Sequence, residues 1–144
     1  MNSLGIAYSL RVFIEENTVL PSIIKFDGIV LPKEKPYSLI ENIQSEYFSE
    51  SKQRETIAVT YRMQMGVFAE SSYKLSEYCN DLTELFLFRD ITYYDESGTS
   101  TGLTFKVEED FKVVPIMSDN KSDDTSKHKA YFDIAIRTNK HRNK

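Results

Sequence analysis

Residues of the types suited to chemistry are few among the 144 of this chain, and their neighbours decide what each can do. His128 stands in a polar loop and His141 in a basic C-terminal run. A general base needs a held geometry and a tuned pKa, and neither histidine has an apolar segment beside it to wall off a dry site, so both read as solvated. Cys79 lies on an apolar stripe between Tyr78 and Leu82. Burial there raises a thiol's pKa and makes it inert, which predicts packing rather than nucleophilic attack. One cysteine also rules out an internal disulfide or a cysteine metal cluster. Glu108, Glu109 and Asp110 are consecutive, so from a strand they cannot all face one ion, and they read as a turn rim. The run Asp119 to Asp124 echoes a calcium loop. Its third place holds Lys121, its sixth holds Asp124 where a glycine should turn the chain, and its twelfth holds Ala130, so six oxygens cannot gather as that loop requires. The five glycines form no phosphate-cradling loop and no nucleophile elbow. The expectation is a protein with no catalytic residues, no metal and no cofactor.

The elements that would position these side chains follow from periodicity. Ile6, Ala7, Leu10, Phe13 and Ile14 recur at helical spacing behind the cap oxygens of Asn2 and Ser3, predicting an amphipathic helix over 3–16. Between Val19 and Leu31 the chain is apolar and β-branched around Asp27-Gly28, a pair that accepts a tight hairpin turn, so two short strands are expected there. Pro32 and Pro36 bracket a charged loop, Tyr37 to Gln44 reads as a strand, and Ser49 to Arg54 has turn chemistry.

From Glu55 to Ala69 the alternation is plainest. Ile57, Val59, Tyr61, Met63, Met65 and Val67 share one face, and Ala58, Thr60, Arg62, Gln64, Gly66 and Phe68 the other. A slip of one residue would expose six apolar side chains, so the register is strongly specified. Ser71 and Ser72 cap a second helix with Leu75, Tyr78, Cys79, Leu82, Leu85 and Phe86 on one side. Strands are predicted at 90–94, 103–107, 112–117 and 129–137, separated by the turn at 97–102 and the polar loop at 118–128. This order predicts an α+β fold: a mixed, mainly antiparallel sheet with an N-terminal helix and a central helix packed on it. Residues 1–137 form one domain and 138–144 a basic, disordered tail.

Charge narrows the partners. The chain has 22 acidic and 18 basic residues, and Arg137, Lys140, Arg142 and Lys144 supply four of the latter, leaving 14 against 22, or net −8, over 1–136. Such a body repels nucleic acid at long range and argues against a reader of DNA grooves. No apolar run approaches the roughly 18 residues of a membrane span, and no signal-peptide pattern opens the chain, so a cytoplasm-like compartment is expected. Nine tyrosines and nine phenylalanines, with acids rather than bases around them, suit a core and a protein interface better than base stacking.

The stretch Thr60-Tyr61-Arg62-Met63-Gln64-Met65-Gly66-Val67-Phe68-Ala69, followed by the capped helix from Ser71 to Phe88, resembles the central strand and helix of phage tail terminator (tail completion) proteins. The N-terminal helix, the strand led by Pro36, a hairpin and a closing strand extend the likeness over about 130 residues. The resemblance implies a virion protein made in the host cytoplasm. Its copies form a ring, commonly of six, at the head-proximal end of the tail tube. That ring stops tube growth and meets a neck or head completion protein, while DNA passes through without specific binding. On this reading Arg62, Gln64 and Phe68 on the second strand face, with Arg137 and Lys140 near the C-terminus, are candidates for contacts with a copy or a partner. A neck or head completion protein, a cellular homo-oligomeric adaptor, and a small ligand-binding or enzymatic α+β domain are the alternatives.

Overall fold

The computed structural model describes residues 1–26, 28–50, 56–117 and 128–141. Helix α1 (Ser3–Asn17) starts at Asn2, whose side-chain oxygen accepts from Gly5 N–H at 2.8 Å and so satisfies one of the free donors of the first turn. It ends where Thr18 turns extended and donates its N–H to Ile14. Helix α2 (Ser72–Phe88) uses Ser71 in the same way, accepting from Lys74 N–H. The strands are β1 (Ser22–Ile24), β2 (Tyr37–Ser49), β3 (Thr56–Phe68), β4 (Ile91–Tyr94), β5 (Ser100–Phe105), β6 (Lys112–Met117) and β7 (His128–His141). The expected α+β class is what the chain adopts: a five-stranded sheet in the order β1-β2-β3-β7-β6, antiparallel except for β1 beside β2, with both helices on one face. A second sheet, the hairpin β4-β5, packs on α1.

β3 is the centre because its two faces differ so sharply. Val59, Tyr61, Met63, Met65 and Val67 are buried beneath the helices beside Ile134, Phe132 and Ile136 of β7. Ile6, Leu10 and Ile14 of α1 and Leu82 and Phe86 of α2 close the core from above. Each large side chain removed from water contributes about 1.5–3 kcal/mol. Phe86 meets Phe132 edge-on at 5.8 Å and Phe111 stacks on Phe132 at 6.3 Å, geometries that suit the charge distribution of aromatic rings.

Three expectations need correction. The stretch from Val19 to Leu31 holds one strand, not two. Ser38 N–H donates to Pro21 and Lys25 N–H to Ile40, so the edge of β2 takes β1 in parallel, and the chain from Val30 to Glu34 runs exposed. Gly28 does adopt positive φ (82°), but in a loop where Ile29 N–H bonds to Phe26 rather than between paired strands. β2 continues to Ser49, past the expected end at Gln44, and takes up one extra residue at Ile43 as a bulge. The basic tail expected from 138 is strand as far as His141, because β3 has backbone groups to pair there: Thr138 lies opposite Val59 and His141 opposite Thr56. The calcium-like run and most of the turn at 49–54 lie outside the described residues.

Candidate functional site

The helices cover one face of the sheet, and the other is bare. Directly opposed residues in antiparallel strands point to the same side, so the bare face can be read from the register. Its middle is a polar row across four strands, with Glu41, Gln64, Asp133 and Lys112 successively opposite one another. Gln64 donates to Asp133 at 3.3 Å, and Lys25 approaches Glu41 at 3.4 Å. One step nearer the β2–β3 turn, Arg62 bonds to Glu46 at 2.8 Å, and Gln44 donates to the same carboxylate at 2.5 Å. The guanidinium beside it, and then Gln44, hold the Glu46 carboxyl below its ordinary range, and the same contact raises Arg62. Arg62, Asp110, Lys112, Asp133 and Ala135 line a shallow trough of about 390 Å³ with Ile43 at its end. Met63, Phe111 and Ile134 line it as well, so it is an open depression of mixed charged and apolar character.

At the other end of this face the side chains are apolar. Tyr37 stacks on Phe68 with ring centres 4.7 Å apart, and Tyr131 meets Phe68 edge-on. Gly66 makes room for this: a Cβ there would sit 3.0 Å from the Phe68 ring and 3.1 Å from that of Tyr131. Val114 and Ile116 continue the apolar surface on β6, partly exposed.

Toward the β2–β3 turn the sheet outruns its helices. Every residue of β2 from Asn42 to Ser49 is exposed, on both faces, including Ile43, Tyr47 (64%) and Phe48 (70%). β1 reaches only to Ile40, so among the described residues this half of β2 has a strand on the β3 side alone. β7 is similarly one-sided at its end: β6 pairs with it only as far as Asp133, and Glu108 N–H bonds to Ala135 at 2.8 Å. The result is a three-stranded ribbon, β2-β3-β7, with two open edges.

The candidates named from sequence are distributed unequally over this surface. Arg62, Gln64, Phe68 and Arg137 all lie on the bare face. Arg62 and Arg137 are exposed, the latter bound to Glu50 at 3.0 Å, and Gln64 is half-buried. Phe68 does not offer itself to a partner, because the two neighbouring rings leave it only 7% exposed. Lys140 is opposite Ile57 and therefore points to the helix side, beyond the helices' reach. Sequence reasoning passed over Tyr47 and Phe48. The signal was available in two adjacent aromatics just before a polar turn, where a covered strand would have alternated.

Of the residues weighed for chemistry, Asp110 lines the trough and Glu108 bonds to the edge of β7, while Cys79 and His128 lie apart from this site. Cys79 is half-buried, and burial pushes its thiol up to about 11. His128 begins β7, with Nδ1 3.3 Å from Ser72 Oγ. Among the described residues no cluster of three histidine, cysteine or carboxylate side chains could hold a metal. No helix among the described residues is long and apolar enough to cross a membrane.

No family model matches the chain, and no curated protein matches it. A solved chain with 12% identity covers 97% of this chain over 92% of its own, with a TM-score of 0.49, a likeness too weak to carry an argument about function.

Proposed function

We propose that this protein is a non-enzymatic assembly protein of a phage tail: a tail terminator whose copies form a ring, of six by resemblance, on the head-proximal end of the tail tube. The ring stops tube polymerisation and joins the tube to the neck. The observation that carries the reading is the bare sheet face continuing into a ribbon whose outer strand, β2, is exposed on both sides, with Ile43, Tyr47 and Phe48 in solvent. A chain that acts alone has no use for adjacent exposed aromatics on an open strand edge, which natural proteins normally cover or charge. The resemblance of Thr60 to Phe88 to the central strand and helix of tail terminators supplies the kind of assembly. An open trough lined by both charged and apolar side chains suits contact between proteins better than turnover of a small molecule.

Light scattering across a range of concentrations, with and without assembled tail tubes, tests this. A ring in solution, or a monomer that becomes a ring only on tube ends, is the expected result. A monomer indifferent to tubes defeats the terminator reading and turns attention to a neck protein or a ligand-binding domain.

A further inference from the structure

We infer that copies of this chain join head-to-tail through the two open edges of the β2-β3-β7 ribbon, the edge of β7 at 136–141 docking on the edge of β2 at 42–48 of the next copy. The inference rests on the ring reading above and names the surface that would close the ring. An open edge presents a row of unpaired N–H and C=O groups, and the ligand that satisfies such a row is another extended strand. On β2, Ser38 and Ile40 turn their backbone groups toward β1, so by alternation Asn42 faces the same way, where β1 has ended. On β7, Ala135 turns outward to accept from Glu108, so Arg137 and Asn139 face outward past the end of β6.

The two edges match in height, direction and charge. Glu46 of β2 and Arg137 of β7 both lie opposite Thr60 of β3, on the same face and at the same level. β2 and β7 each run antiparallel to β3 and hence parallel to one another, so continuing the sheet into a second copy lays β7 parallel to the next β2. That step brings Arg137 of one copy beside Glu46 of the next, an opposite-charge cross-strand pair. Pairing β2 with another β2 would instead oppose two strands whose only charged residues are Glu41 and Glu46. Because the two edges differ, the contact is heterologous, the kind that closes into a ring when the rotation between copies divides a full turn.

The test uses two full-length variants, Glu46→Arg and Arg137→Glu, each on an exposed side chain and each checked for an unchanged fold by circular dichroism. Alone, each puts like charges at the junction and should weaken assembly on the order of tenfold or more in light scattering. Mixed in equal amounts, they should assemble again, since every junction then pairs a positive with a negative residue. Variants that assemble like the unmodified chain, or that stay apart when mixed, overturn the inference while leaving the ring intact. An unmodified chain that stops at a dimer also overturns it. An unmodified chain that remains monomeric even on tubes defeats the ring reading itself.

Discussion

Gly5 and Tyr93 meet where α1 crosses β4, and the contact sets how closely the helix can lie. Tyr93 is buried, its hydroxyl accepts from Asn2 N–H at 3.2 Å, and a Cβ on Gly5 would fall 2.3 Å from that oxygen and 2.8 Å from the ring carbon bearing it. Gly5→Ala should therefore lower stability by about 1–3 kcal/mol in urea unfolding, although alanine is the better helix former. Cys79 makes a second prediction. With its thiol pushed from 9.0 to about 11, roughly 100-fold less thiolate is present at neutral pH, and alkylation in the native state should be slower than in urea by about that factor. Tyr78 gives a pH effect. Burial first, and then its bond to Glu70 at 2.9 Å, raise its hydroxyl to about 12, whereas an unfolded tyrosine ionises near about 10. The folded state holds the proton more tightly, so this contribution is full below pH 10 and is lost as pH rises from 10 toward 12. Tyr78→Phe should flatten that part of the profile in denaturation measured at successive pH values.

Elements differ in how much of themselves they disclosed. β3 could be read residue by residue because one of its faces lies under two helices, and five of the six side chains assigned inward are buried. α1 and α2 were legible for the same reason, with caps at Asn2 and Ser71. β2 disclosed only its first part: from Asn42 onward neither face is covered, so nothing enforces alternation, and the bulge at Ile43 shifts the phase. β7 beyond Arg137 reads as a tail from composition, yet β3 recruits it through backbone bonds that carry no side-chain signature. The placement of Arg62 and Gln64 on one face was legible from period two alone. The burial of Phe68 was not, because its cover, Tyr37, lies 31 positions away. Where β7 crosses the core, Phe132 is fully buried, stacked on Phe111 and met edge-on by Phe86. Phe132→Ala should cost about 3–5 kcal/mol in chemical denaturation, a loss large enough to unfold a marginal domain.

For the whole molecule, the division is between a face that holds it together and a face and ribbon that do not. Tyr47 and Phe48 should illustrate this: replacing both with alanine should leave unfolding within about 0.5 kcal/mol of the unmodified chain while reducing assembly in light scattering. Raised salt should weaken that assembly too, since the charges at the ribbon edges are exposed and the screening length falls from about 10 Å at 0.1 M to about 3 Å at 1 M. The order in which the chain forms its centre has a kinetic consequence. β3 turns back on β2 across a short span, but its other neighbour arrives from far along the chain, 61 positions from Phe68 to Lys129 and 85 from Thr56 to His141. Closing so wide a loop delays the pairing, which places the domain among slow folders, on a scale of milliseconds to seconds. Until β7 docks, the hairpin stands with β3 and its buried apolar face unpaired along one side. Refolding yield should therefore fall as protein concentration rises, through capture of one chain's β3 by another before its own last strand arrives.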